Sequence, residues 1–130
     1  AYPQEPIPKR EADLLALQRV EYLEYKSNLV ATSYIGTGES TTATLLSDIA
    51  DYVFIASEKK YETRISARAG EHASIPVNEV VFSVASRLNG TGGGHAKAAG
   101  CSAKVDYKET LRTCISVLKE FIDKQVWGSF

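Results

Sequence analysis

Helical and extended patterns alternate along the chain. Residues 11–27 are dominated by Leu, Ala, Gln, Arg and Glu with no Gly or Pro, which predicts a helix. Its apolar positions Leu14, Leu15, Leu17, Val20 and Leu23 spread over a wide arc, so its packing face is poorly defined. Residues 29–35 predict a strand closed by Gly36-Thr37-Gly38, and Ser40 or Thr41 is placed to cap a short helix over 42–50. The continuous apolar run at 52–57 predicts a strand covered on both faces. After the break at Lys59-Lys60, residues 61–69 alternate: Ile65 and Ala67 point one way, Arg64, Ser66 and Arg68 the other. So short a connection predicts an antiparallel hairpin. Beyond Pro76, the spacing of Val77, Val80, Val81, Val84, Ala85 and Leu88 predicts an amphipathic helix. A glycine-rich loop over 90–95 follows, then a short strand over 100–105. A closing helix over 107–125 has the stripe Leu111, Cys114, Ile115, Leu118, Phe121, Ile122 and Val126.

This order predicts an α/β fold, a single layered domain with a mixed central sheet of about four to five strands and helices packed on it. Pro3, Pro6 and Pro8 mark residues 1–10 as a stiff interdomain linker, leaving 11–130 as the domain. With that linker-like start and no Met in 130 residues, the chain is expected to be a piece of a longer polypeptide. The 44% hydrophobic content is enough for a real core and argues against intrinsic disorder. The longest apolar run, residues 52–56, is far short of the roughly 20 residues that span a bilayer. No signal-peptide pattern appears, and two cysteines make no disulfide framework, so a reduced, cytoplasmic protein is expected. A net charge of -1 excludes the polybasic class, and any anion must be held by a local site.

Two features suit such a site. Gly90, Gly92, Gly93 and Gly94 allow close approach and positive φ, so successive amides can form an anion-binding nest. His95 adds an imidazole donor, Lys97 a positive charge, and a helical turn starting at His95 would add free N–H groups. The competing reading is a flexible helix-to-strand loop. Second, Arg64, Ser66 and Arg68 make a line of donors about 13 Å long on one strand face, and guanidinium forks fit phosphate oxygens. An ordinary solvated face with Glu58 or Glu62 as partners is the alternative. The glycines lack the Lys-Ser/Thr of a P-loop, and they follow a helix, the reverse of a dinucleotide fingerprint.

Other candidates are weaker. Glu39 in the 36–40 loop would repel phosphate, His72 is expected to be exposed, and Cys101 and Cys114 have no activating base nearby. His and Cys residues match no zinc spacing, and the acidic residues form no paired-metal cluster. The chain thus offers phosphate-holding groups without an evident nucleophile, metal site or acid–base pair.

Gly92-Gly93-Gly94-His95-Ala96-Lys97-Ala98-Ala99-Gly100-Cys101 resembles the Gly-Gly-Gly-His…Ala-Ala-Gly signature of the DHH-associated C-terminal domain. That domain occurs in DHH-family phosphoesterases, among them RecJ-like exonucleases, nano-RNases and cyclic-dinucleotide phosphodiesterases. Arg64-Ile65-Ser66-Ala67-Arg68 resembles the strand preceding the signature, and the similarity covers roughly residues 29–121. The resemblance implies a separate N-terminal Asp-His-His domain holding two divalent metals, manganese or magnesium; no such motif occurs in this chain, which would itself bind no cofactor. It also implies that Gly92, Gly93, Gly94 and His95 contact a phosphate, with His95 steadying transition-state charge, and that Arg68 binds a phosphate or base. Arg64 and Lys97 would be further substrate contacts, and Ser66, in the same line of strand donors, is expected to join them. The implied partners are that missing domain and single-stranded nucleic acid, an oligonucleotide or a nucleotide phosphate, with no membrane. Related domains accompany alanyl-tRNA synthetase, where a non-catalytic contact with tRNA is the alternative role.

Overall fold

The computed structural model describes residues 4–36 and 41–128, with side chains through residue 125. Helix α1 spans Ile7–Gln18, strand β1 Glu21–Tyr25, β2 Asn28–Ile35, α2 Thr41–Leu46, β3 Tyr52–Lys59 and β4 Glu62–Ala69. Helix α3 follows over Val77–Arg87, then β5 over Thr91–Gly94, β6 over Ala98–Ala103 and α4 over Tyr107–Gly128. The strands form one mixed sheet ordered β1-β2-β3-β4-β6-β5, with β2 and β3 parallel and every other pair antiparallel. The α/β layered fold is as expected, with six strands where four to five were predicted.

The two additional strands come from segments whose composition points elsewhere. The helix predicted over 11–27 begins earlier and stops at Gln18, because β1 pairs along its whole length with β2. Lys26 (φ 48°) and Ser27 (φ 68°) form a two-residue hairpin turn of the primed kind, and that non-local pairing overrides helix propensity. The Tyr25 hydroxyl donates to Asp123 of α4 at 2.8 Å and the Lys26 ammonium reaches the same carboxylate at 2.6 Å, tying this hairpin to the last helix. The glycine-rich segment is likewise a strand, β5, and not a loop. Helix α2 ends at Leu46 instead of residue 50, continuing as turns. The turn at 37–38 and the Ser40 cap lie outside the described residues.

Side chains alternate between two cores. Val30, Tyr52, Phe54, Ala56, Ile65 and Ala67 face α3 and α4. Ala31, Ile35, Val53 and Ile55 face α1 and α2. Both faces of β3 are therefore buried, as its unbroken apolar run predicts. Helix α1 touches the sheet through Ala12 and Ala16 and leaves Ile7, Leu14 and Leu15 exposed, which accounts for its diffuse pattern. Among the described residues no helix is long and apolar enough to cross a membrane.

Candidate functional site

Helices α1 and α2 cover the β2–β3 side of their face and reach no further than β4, which leaves the surface over β4, β6 and β5 open. Strand register tiles it. Ser57, Arg64, Ser102 and Thr91 form one row, and Ile55, Ser66, Gly100 and Gly93 the next. Val53, Arg68 and Ala98 form the third. Backbone bonds between His95 and Ala98 (2.8 and 3.2 Å) place His95 at the end of that third row. Arg68 and His95 thus share one face, roughly two strand spacings or 10 Å apart. A depression of about 1130 Å³ lies over these rows, lined by Arg64, Ser66, Arg68 and Gly92 to Gly94 among others.

The charge along this floor is uneven. Arg64 donates to Glu62 at 3.3 Å, and Glu58 also lines that end. The alternative reading of a solvated face with an acidic partner therefore describes Arg64. Arg68 donates one N–H to its neighbour Ala67 carbonyl at 2.9 Å and has no carboxylate partner among the described residues. An anion is accordingly best held at the end where Arg68, Ser66 and Gly93 meet.

The glycines do different work. A Cβ on Gly92 would lie 2.8 Å from the Cβ of Cys101 and 3.1 Å from the Val81 carbonyl oxygen. Gly94 has φ +138°, and a Cβ there would lie 2.6 Å from the Ala99 Cα. Both are demanded by the packing of β5 between β6 and α3. Gly93 is not: its added Cβ meets nothing within 4 Å, and its φ lies outside the left-handed region. Of the glycines at 90, 92, 93 and 94, Gly93 alone has no architectural reason.

The expected nest and the helical turn at His95 are replaced by this strand and a tight hairpin turn over 95–98. Three tethers fix the turn. The first amide of α3, Val77, donates to Ala96 O at 2.9 Å, and Ala69 N donates to Lys97 O at 3.0 Å. The Lys97 ammonium donates to the carbonyls of Gly70 (2.8 Å), Ala73 (2.8 Å) and Glu71 (3.3 Å). Its donors are directed at the loop before α3 and away from the rows of Arg68 and Ser66. His95 is exposed, and its ring has no hydrogen-bond partner among the described residues.

His72 is exposed, as expected. Cys101 and Cys114 are free thiols buried beneath the sheet; the hydrogen bond between them lowers the Cys101 pKa and, with burial, raises that of Cys114. Among the described residues no three His, Cys, Asp or Glu side chains converge as metal ligands. Sequence reasoning did not single out Thr91, Gly100 and Ser102 of the open face. The alternation of Ala98, Gly100 and Ser102 against the buried Ala99, Cys101 and Ala103 is the signal that identifies the latter two.

Residues 30–124 match the DHHA1 domain. An uncharacterised protein of Methanocaldococcus jannaschii is 31% identical over 131 residues; the alignment covers 91% of this chain and 39% of that relative's length. Among solved structures, an exopolyphosphatase-related protein from Bacteroides fragilis has a TM-score of 0.71 at 16% identity, over 92% of this chain and 36% of that one. The C-Ala domain of Aquifex aeolicus alanyl-tRNA synthetase has a TM-score of 0.64 at 20% identity, over 76% of this chain and 98% of that one. A pGpG-specific phosphodiesterase from Vibrio has a TM-score of 0.56 at 11% identity, over 83% of this chain and 39% of that one. At these identities the structures establish a shared fold.

Proposed function

The chain belongs to the DHHA1 domain family, and on that premise we propose that it is the substrate-binding domain of a phosphoesterase. It holds the phosphates of a short oligonucleotide, single-stranded nucleic acid or nucleotide while a phosphodiester or phosphomonoester bond is hydrolysed. Gly93 carries this reading. Every other glycine of the strip is explained by packing or backbone angle, whereas this one leaves the floor clear beside an arginine with no carboxylate partner among the described residues. In this arrangement the Arg68 guanidinium forks onto phosphate oxygens, the Ser66 hydroxyl donates a further bond, and Gly93 permits close approach. His95, at the end of the Arg68 row, adds an imidazole donor at the rim. Such fixed donors favour the negative charge that develops on the phosphoryl oxygens. Among the described residues no three His, Cys, Asp or Glu side chains converge to fit the manganese or magnesium implied by the family.

The test is an amide-resolved NMR titration of the chain with a 5′-phosphorylated dinucleotide at low salt. Shifts should centre on Ser66, Arg68, Gly93 and His95, and rising salt should weaken binding. Shifts confined to α1 and α2, or no binding, would overturn the proposal. A second reading, a nucleic-acid-binding module with no hydrolytic partner, is supported by the fold shared with the C-Ala domain of alanyl-tRNA synthetase, which is matched over 98% of its length. Hydrolysis of the same dinucleotide by the longer polypeptide, lost in its Arg68→Ala variant, decides for the first.

A further inference from the structure

Gly93 and Gly94 line a second space besides the open depression. On the α3 side of the same strand is a groove of about 400 Å³, bordered by Asn78, Phe82, Ser83, Phe121 and these two glycines. That volume is within the usual range for small-molecule pockets, roughly 300–1,000 Å³. Two of its residues are at odds with a purely structural role. Phe82 is 63% exposed, although the valines of its own helix are buried. Asn78 holds a buried side-chain oxygen, Oδ1, with no hydrogen-bond partner among the described residues, an arrangement native folds rarely leave unanswered.

From this geometry we infer that the groove takes the base of the nucleotide whose phosphate lies on the open face, specifically a base carrying an exocyclic amine. The inference rests on the phosphate-binding reading of Arg68 and Gly93. Continuity supports it: the edge strand β5 is all that separates the two spaces. The hairpin bonds pair His95 with Ala98, so Gly93 is hydrogen-bonded to Gly100 while Gly92 and Gly94 turn their N–H and C=O groups to the free edge. Residues 91–94 are all exposed, and a sugar can cross that edge. Charge supports it too. Glu79 borders the groove and no Lys or Arg does, which disfavours a second phosphate and suits a neutral ring bearing an amino donor. The ring of Phe82 supplies a stacking surface, and the Asn78 amide, turned toward the groove, accepts the amine hydrogen at Oδ1.

The experiment compares AMP, UMP and ribose 5-phosphate by calorimetry and amide NMR on the same chain. AMP is expected to bind roughly tenfold more tightly than ribose 5-phosphate, the order that one stacked base provides, and more tightly than UMP. Phe82→Ala should erase the AMP advantage while leaving ribose 5-phosphate affinity unchanged. Asn78→Ala should bring AMP down to UMP. Equal binding of AMP and ribose 5-phosphate, with shifts only around Arg68 and Gly93, overturns the base groove and leaves the phosphate site standing. Failure of both ligands to bind overturns the two together.

Discussion

The two halves of the sheet are built to opposite specifications. Across β2 and β3 both faces are sealed, and Tyr52, Val53, Phe54, Ile55 and Ala56 are nearly inaccessible. Across β4, β6 and β5 only the α3–α4 face is sealed, and the other carries Arg64, Ser66, Arg68, Gly100 and Gly93 in open rows. One sheet therefore contains a half that stabilises and a half that displays. Substitutions should sort by which half they strike.

The largest effect is expected in the sealed half. Phe54→Ala should cost about 3–5 kcal/mol in urea unfolding, whereas Ser66→Ala on the open face should change stability by less than about 0.5 kcal/mol. A comparable loss for both would erase the distinction. Next comes the contrast within the glycine strip. Gly94→Ala should lose about 2–4 kcal/mol through backbone strain and collision with Ala99. Gly93→Ala should stay within about 1 kcal/mol of the parent while phosphate affinity falls at least roughly tenfold through the same close-approach argument. Third, Arg68→Ala should weaken phosphate binding by roughly 10–100-fold, the worth of a charged hydrogen bond. Arg64→Ala, already engaged with Glu62, should weaken it by less than about threefold. Fourth, Lys97→Met should cost about 1 kcal/mol and speed amide exchange over residues 70–75, with affinity unchanged. A large affinity loss there would return Lys97 to the binding face.

The smallest effect belongs to the β1–β2 hairpin. Lys26 and Tyr25 hold the Asp123 carboxyl below its ordinary pKa, so the ionised form favours the fold. That contribution is complete above the unfolded value of about 3.9 and is lost as pH falls through the lower folded value. Asp123→Asn should flatten this part of the acid-side decline in an unfolding series, leaving the neutral-pH binding profile untouched.

Most of this organisation was legible in the pattern of residues. The alternation at Ile65 and Ala67 set the two faces of β4, and the spacing of the valines in α3 set its buried stripe, because local periodicity there agrees with the tertiary surroundings. The strands β1 and β5 were not legible for opposite reasons. Helix-favouring Glu and Leu fill β1, whose extended form depends on β2. Glycine, a poor strand former, fills β5 because α3 and β6 leave no room for a Cβ at 92 or 94. At the site, Arg68, Ser66, Gly93 and His95 could be chosen from residue type. That Arg64 is neutralised by Glu62, and that Lys97 turns to the Gly70–Ala73 carbonyls, depends on contacts no linear spacing encodes.

The strand order also implies a sequence of assembly and of fraying. Chain order runs β4, α3, β5, β6, yet β6 lies between β4 and β5, so the β5–β6 hairpin docks on β4 through β6 and leaves β5 at the edge. Four residues long and paired on one side, β5 should be the last strand to lock and the first to release in native-state hydrogen exchange. A ligand gripping it would then slow that release in proportion to its occupancy, and the protection of the Gly93 amide would serve as a built-in gauge of binding.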